Sequence, residues 1–533
     1  MLSEANATEK PVEAIVPWGA VLVLVIGAFM SILDSSIVNV ALPRMMAVFG
    51  ASTDEIEWVL TGYMLTTGVI IPLTGYLGKR FGHRRMYIIA LAIFTVGSAF
   101  CGMAWSTTSM IIARIIQAIG GGMLIPISMA MIYLIVPEQK TGVVLGVWGI
   151  AAVMGPAIGP TLGGYLVDNF SWPWIFTINI PIGVVAIFLS MQVLKETKLE
   201  KALKPDLPGA LFICVSAFAL LLALSRGQQE GWTSQYIVTL LAVGIFSLLL
   251  FVFWELAADE PLIDMRLFRN PVMAAGLGAV AITNSLLFVV VFLVPIYSQN
   301  LLGYSPMDTG LMMLPMALAT GFLMPVSGKV FDRYGAFGVG LAGLSILAGM
   351  TYYLHTLSLA TSFGQVQLIL ALRALGLGLC MMPLANAPML TVPEHLVGSA
   401  SSALNLVRQV VASIAVAFTT YFVSQRQEYH LSIITEGINQ SSPTSPFIIA
   451  QVQGYLTAQG LGGDTPLAVT LSVIKSMALK QAYMNGIDDI MVLMALLALA
   501  GFPLLFLLSK KRVDREKLRQ GINTPANQAI LGE

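Results

Sequence analysis

Residues 146–164 read GVWGIAAVMGPAIGPTLGG and lie inside a long apolar segment. Gly155, Gly159 and Gly163 recur at every fourth position, so on a helix they form one bare face that a neighbouring backbone can approach closely. Pro156 and Pro160 interleave with them. Each proline removes a backbone donor and crowds the carbonyl four residues back, so the helix is expected to be bent as well as closely packed. Spacing alone is also what ordinary packing between membrane helices produces. The full order is more specific: Gly146, Gly155, Gly159-Pro160 and Gly163-Gly164 stand at fixed intervals.

The composition fits a chain built from such segments. Of 533 residues, 57% are hydrophobic and 11% charged, and the mean hydropathy is +0.82. A soluble domain cannot bury that much apolar surface, so the class is an all-α polytopic membrane protein. Net charge is zero, and no nucleic-acid partner is expected. Cys101, Cys214 and Cys380 lie in apolar runs without metal or redox spacing and read as small buried hydrophobes, so no metal site is expected. The polar first seventeen residues lead into an apolar run too long for a signal peptide core, and no cleavage is expected. With no phosphate loop, zinc spacing or hydrolase elbow, an enzyme is not expected. Without a cofactor, the energy source expected is an ion gradient. One charge moved through 100 mV is worth about 2.3 kcal/mol, enough for roughly a fiftyfold gradient of a neutral solute.

Spans long enough for a bilayer fall at 18–43, 54–78, 85–104, 107–136, 140–168, 174–194, 208–226, 236–256, 272–298, 308–330, 337–357, 363–391, 397–424 and 488–509. With fourteen helices and a cytoplasmic start, 20 of the 28 Lys and Arg fall inside and five outside (Arg44, Arg226, Arg426, Lys475, Lys480). That bias puts both termini in the cytoplasm. IPLTGYLGKRFG at 71–82 aligns without gaps with MPVSGKVFDRYG at 324–335, and Arg114 with Pro126 is echoed by Arg373 with Pro383. Two related halves are therefore expected, with the substrate site at their interface. The organisation expected is a tail at 1–17, a six-helix bundle at 18–195, two additional helices at 205–257, a second six-helix bundle at 271–509 and a tail at 510–533. The external 425–487 loop is long and partly apolar, and short helices or a hairpin lying on the membrane surface are expected there.

Asp34, near the middle of the first span, is the one acidic residue placed deep in a helix. There it costs about 2.5–3.5 kcal/mol on insertion scales, so it must face a cavity or a partner. Arg114, with Gln117 on the same helical face, needs a counter-charge, and Asp34 is the natural candidate. The pair reads as a proton-coupling site or as a structural pin between two helices. Asn39, Gln117, Asn179, Asn284, Met381, Asn386, Asn405 and Arg408 are candidates for a substrate cavity, and Arg373 reads as structural. Met312, Met313, Met316, Met381, Met382 and Met389 form a flexible, polarizable cluster suited either to a cavity or to plain packing. Trp172 and Trp174 read as interfacial anchors.

The order of glycines and prolines at 146–164 matches, at every fixed position, the antiporter signature of fifth helices in the major facilitator superfamily. Leu33-Asp34, Ser36, Asn39 and Ala41-Leu42-Pro43 resemble the first-helix signature of its fourteen-helix EmrB/QacA-type drug/proton antiporters, with serine for the usual threonine at Ser36. Arg114, Gln117 and Gly120 resemble the fourth-helix motif, with Ala118 in place of a glycine. WPWIFTINIPIG at 172–183 and SASSALNLVRQ at 399–409 are similar to other segments of the same family. The resemblance implies a major facilitator fold of two six-helix bundles with two extra central helices. Gly75, Lys79, Arg80, Gly82 and Arg85, and in the second half Gly328, Asp332 and Arg333, resemble the superfamily's gating loops. Lys79 replaces the aspartate that closes the inner gate, so Asp332 is expected to carry that role. The function implied is proton-coupled efflux of lipophilic, cationic or amphiphilic drugs from a bacterial cytoplasmic (inner) membrane. A periplasmic adaptor and an outer-membrane channel are partners such relatives use in double-membraned bacteria. Export of an endogenous amphiphile (a fatty acid, bile salt or lipid) stays open, as does a non-transporting scaffold or sensor.

Overall fold

The computed structural model describes residues 16–197, 206–436, 445–458 and 467–522, and among these every regular element is helical. Among the described residues thirteen helices are each long and apolar enough to cross a membrane, and a bent helix, α5 below, makes a fourteenth when its two parts are taken as one span. They are α1 (Trp18–Phe49), α2 (Asp54–Phe81), α3 (His83–Gly102), α4 (Thr107–Ile135), α5 (Glu138–Asn169), α6 (Trp174–Val193) and α7 (Leu207–Glu230). They continue as α8 (Gln235–Ala257), α9 (Pro271–Leu301), α10 (Met307–Tyr334), α11 (Ala336–Thr356), α12 (Phe363–Met389), α13 (Glu394–Glu436) and α14 (Val469–Leu507). A short charged helix, α15 (Lys510–Arg519), follows. Helix α5 is bent by 47° between its Glu138–Pro156 and Thr161–Asn169 parts, where Pro156 and Pro160 interrupt the hydrogen-bond ladder.

Local chemistry sets the helix starts. Ser52, Ser106 and Ser305 each close a capping box with the residue three positions on, Glu55, Ser109 and Asp308. The two copies of the repeat end alike, on Gly82 (φ +92°) and Gly335 (φ +81°). Only glycine adopts such angles without strain, which allows α2 to turn directly into α3 and α10 into α11.

In the first half α1 packs along α5, and α4 along α2 and α3; in the second, α10 and α11 pack on α12, and α13 on α14. The halves meet where α5 lies against α10 and where α13 crosses α4 and the last turns of α2. Helices α7 and α8 pair with each other, and α7 touches both α2 and α13, so the additional pair covers that side of the seam. Leu221 of α7 fills the notch at Gly68 of α2, and the Arg226 guanidinium lies 5.1 Å from the centre of the Trp58 ring.

Two expectations change. The stretch 425–487 is largely helix continued from its neighbours, with α13 reaching Glu436, α14 beginning at Val469 and a separate helix at Ser445–Ala458. The regular part of α13, Val397–Glu436, has 40 residues and so is roughly 60 Å long, twice a hydrocarbon core of about 30 Å. That length exceeds what one crossing needs. Trp172, expected as an anchor, is buried and packs edge-on against Phe49 and Phe176, while Trp174 is exposed. The tail at 1–17 lies, up to residue 15, outside the described residues. So do Lys198, Lys201 and Lys204, 437–444 and 459–466 of the long loop, and the tail beyond 522.

Candidate functional site

Asp34 sits mid-way along α1 with its side chain fully enclosed. Two helices send donors to it. Arg114 Nη1 of α4 donates to Oδ2 at 2.5 Å, Gln117 Nε2 to Oδ1 at 2.8 Å, and Asn179 Nδ2 of α6 to Oδ1 at 2.9 Å. Gln117 also accepts from Arg114 Nη1 at 2.7 Å and donates to Ser98 Oγ of α3 at 2.7 Å, so the cage joins four helices. The guanidinium lies 4.0 Å from the centre of the Tyr63 ring and 5.6 Å from that of Phe176. This is a carboxylate held by charge-assisted bonds in an apolar surround, where losing one partner strands a buried charge at a cost of about 3–5 kcal/mol.

The glycine face of α5 is what brings α1 into register. A Cβ on Gly155 would stand 2.6 Å from Ile32, on Gly159 2.3 Å from Ser36 Oγ, and on Gly163 3.0 Å from the Ile37 carbonyl. The bare face therefore seats on the turn of α1 that carries Asp34. Pro160 has no N–H to give the Pro156 carbonyl, and Ser36 Oγ supplies that bond from α1 at 3.3 Å. Gly146 faces the other half, its Cβ position 2.6 Å from the Met324 carbonyl and Pro325 Cα of α10, while Gly164 has nothing within 4 Å.

Several expected cavity residues are placed elsewhere. Gln117 and Asn179 belong to the Asp34 cage, because the rotation of α4 and α6 turns them inward to α1. Asn284 is buried and bonds back to its own helix at the Val280 carbonyl, 2.8 Å. Met381 is buried in one core with Met382 and Met389, while Met312, Met313 and Met316 are buried in another. Asn39 is exposed, a turn beyond Asp34. Arg373 is fully buried, and donates to Thr351 Oγ1 at 2.9 Å and to the Leu286 carbonyl at 2.5 Å.

The turns α2–α3 and α10–α11 and helix α15 carry Lys79, Arg80, Arg84, Arg85, Arg333, Lys510 and Lys511, and mark the basic end of the bundle. There the halves are pressed together. A Cβ on Gly75 would lie 2.9 Å from the Gly398 carbonyl, and one on Gly328 2.1 Å from that of Gly142. Asp332 accepts from the Gly142 and Val143 amides near the start of α5, at 3.0 and 3.3 Å. At the equivalent place in the first half, Lys79 lines a pocket of ≈ 160 Å³ with Asp259, Glu260 and Asp264 of the α8–α9 connection and Leu396 and Ser399 of α13. Deeper along the seam, Thr74 bonds Ser402 at 2.8 Å, Ser401 Oγ donates to the Pro126 carbonyl at 3.0 Å, and Tyr133 OH donates to Asn386 at 2.6 Å. These contacts all lie between the basic end and the level of Asp34.

Three features were missed in the sequence. Asp489, given to the first turn of a short last span, lies well inside α14 and accepts from Arg426 at 2.5 Å, with His430 Nε2 at 2.8 Å. Glu255, near the end of α8, is buried and accepts from the Ile263 amide at 3.1 Å, so Asp34 is not the only enclosed acid. Lys517 of α15 pairs with Glu138 at the start of α5, while Val513 packs in the core of the second half, so α15 ties both halves together.

A paired-bundle architecture of fourteen spans, closed at one end and holding a caged ion pair in its first half, defines a polytopic membrane transporter. The family model described as Major Facilitator Superfamily matches residues 24–416. The chain is 33% identical to the uncharacterised MFS-type transporter YhcA of Bacillus subtilis, covering 96% of each chain. It is 31% identical to the multidrug export protein EmrB of Haemophilus influenzae, over 89% of this chain and 92% of that one. Among solved structures, the human organic anion transporter MFSD10 superposes with a TM-score of 0.58 at 14% identity, over 92% of this chain and 99% of that one. The chain belongs to the major facilitator superfamily, and its relatives place it in the EmrB-type branch.

Proposed function

We propose that this chain exports lipophilic compounds, cationic and amphiphilic ones among them, in exchange for protons. It would do so by alternating access across the bacterial cytoplasmic (inner) membrane, with the basic end and both termini in the cytoplasm. The observation that carries this is the Asp34 cage: one enclosed carboxylate whose charge holds α1, α4 and α6 together. While Asp34 is ionised, its bonds to Arg114, Gln117 and Asn179 lock the three helices. A proton on Asp34 cancels the charge that Arg114 pairs with and turns one acceptor oxygen into a donor, which loosens the cage. The α5 glycine face passes that change to the seam, because it seats directly on the Asp34 turn. The closed basic end supports a conformer in which cargo leaves and protons enter from the opposite side.

The printed names of relatives such as EmrB support multidrug cargo. The proton gradient is the energy source in this scheme, with no cofactor. The long ends of α13 and α14 and the helix between them offer a place for a periplasmic adaptor linked to an outer-membrane channel.

The test is efflux of a fluorescent lipophilic compound by everted vesicles energised with a proton gradient. Uptake into vesicles carrying the protein, abolished by dissipating the gradient, is the expected result. Transport that persists without the gradient, or none above empty vesicles, would overturn the proposal.

A further inference from the structure

The seam holds a cluster of polar groups whose free atoms are all donors. Along α13, residues 397–405 are buried all round, whereas 406–413 are each partly exposed, so the closed seam gives way to open space at the level of Arg408. Arg408 lies just past the last seam contacts. Its Nη1 faces Asn405 Oδ1 at 3.5 Å and Met129 Sδ of α4 at 3.8 Å. Asn405 Nδ2 is already given to the Ser401 carbonyl, at 2.8 Å. On the facing helix α12, Asn386 spends its oxygen on Tyr133 OH, which fixes the amide so that its nitrogen is the unused end.

Two enclosed atoms in this cluster have no protein partner, Arg408 Nε and Asn386 Nδ2. Asn386 is fully buried, and both atoms are N–H donors, so what completes them is an acceptor. Arg408 also enters none of the ion pairs among the described residues. Arg114 differs in this respect, since Asp34 balances its charge. A guanidinium at the floor of an opening, without a carboxylate, favours a ligand that brings its own negative charge and makes a cation the poorer cargo. Met129 beside it gives the guanidinium an apolar, adaptable neighbour.

We propose that Arg408, together with Asn386 of the same seam, is the headgroup subsite of the transport cavity, so that the preferred cargo is a lipophilic anion: an apolar body ending in a carboxylate or phenolate. This rests on the export reading above and narrows its substrate class.

The test uses a dansyl-labelled long-chain carboxylate and the matching primary amine. Binding is measured on the purified full chain in nanodiscs, and efflux in everted vesicles. Wild type should bind the carboxylate at least tenfold more tightly than the amine. Arg408→Gln should remove that preference, and Arg408→Lys should keep part of it. Thermal melting of each variant in the nanodisc is the control for folding, and Asn405→Asp sets a carboxylate beside Arg408 that neutralises the guanidinium in place. It too should abolish the preference while leaving amine binding equal or stronger. A preference unchanged in Arg408→Gln or Asn405→Asp would overturn the proposal, as would equal loss of both probes. A wild type that binds the carboxylate selectively but transports neither probe keeps the subsite and refutes export.

Discussion

Arg114 and Arg373 occupy matching places in the two halves, yet only one has become a charge site. Arg114 meets Asp34, Gln117 and two aromatic faces; Arg373 meets a threonine hydroxyl and a backbone carbonyl. The same asymmetry holds one layer out. Asn179 of the first half reaches across to Asp34, while Asn284 of the second bonds within its own helix. At the basic end it is reversed, with Lys79 in the first half and, in the second, Asp332 bonded to the Gly142 and Val143 amides. The two related halves carry different side chains at matching places, and on the proposed mechanism proton chemistry and gate closure are divided between them.

That division is most sharply tested by removing the two arginines in turn. Arg114→Met strands Asp34 as an unpaired buried charge, so stability should fall by about 3–5 kcal/mol and efflux should be lost. Arg373→Met leaves no carboxylate behind. It should keep most of the transport and lose far less stability, as read by thermal melting and vesicle efflux. If the two variants behave alike, the halves are not specialised.

The asparagines give a smaller contrast. Asn179→Ala removes one donor to a charged oxygen, worth about 1.5–3 kcal/mol, so the efflux rate should fall by roughly tenfold or more. Asn284→Ala removes a bond within one helix and should change the rate by less than about threefold, a neutral hydrogen bond contributing about 0.5–1.5 kcal/mol. The smallest effect belongs to the gate. Asp332→Asn withdraws a negative charge from near the start of α5, worth about 0.3–2 kcal/mol. It should raise the labelling rate of a cysteine introduced at Ser399 from the basic end, while efflux stays measurable. An unchanged rate would remove Asp332 from the gate.

Much of this was legible in the sequence where one residue's chemistry forces a partner. Asp34 and Arg114 each need an opposite charge in an apolar segment, and the structure places them together. The spans were legible because twenty apolar residues in a row leave little alternative. The long ends of α13 and α14 were not, because a helix that leaves the membrane turns polar and its hydropathy signal vanishes. Gln117 and Asn179 were assigned to an open cavity because a sequence does not give the rotation of one helix against the next. The pairs Lys517–Glu138 and Arg426–Asp489 join positions far apart in the sequence, and no periodicity points to them. Pro160 was read only as a kink; that it frees a carbonyl for Ser36 required the α1–α5 contact to be seen.

The central claim is that Asp34 exchanges a proton for cargo. The direct measurement is proton release when a transported compound binds to purified protein in weakly buffered detergent solution, followed with a pH indicator in wild type and in Asp34→Asn. Wild type should release close to one proton per compound bound, and Asp34→Asn should bind the compound and release none. Equal release from the two proteins would contradict the account and move the coupling to another group.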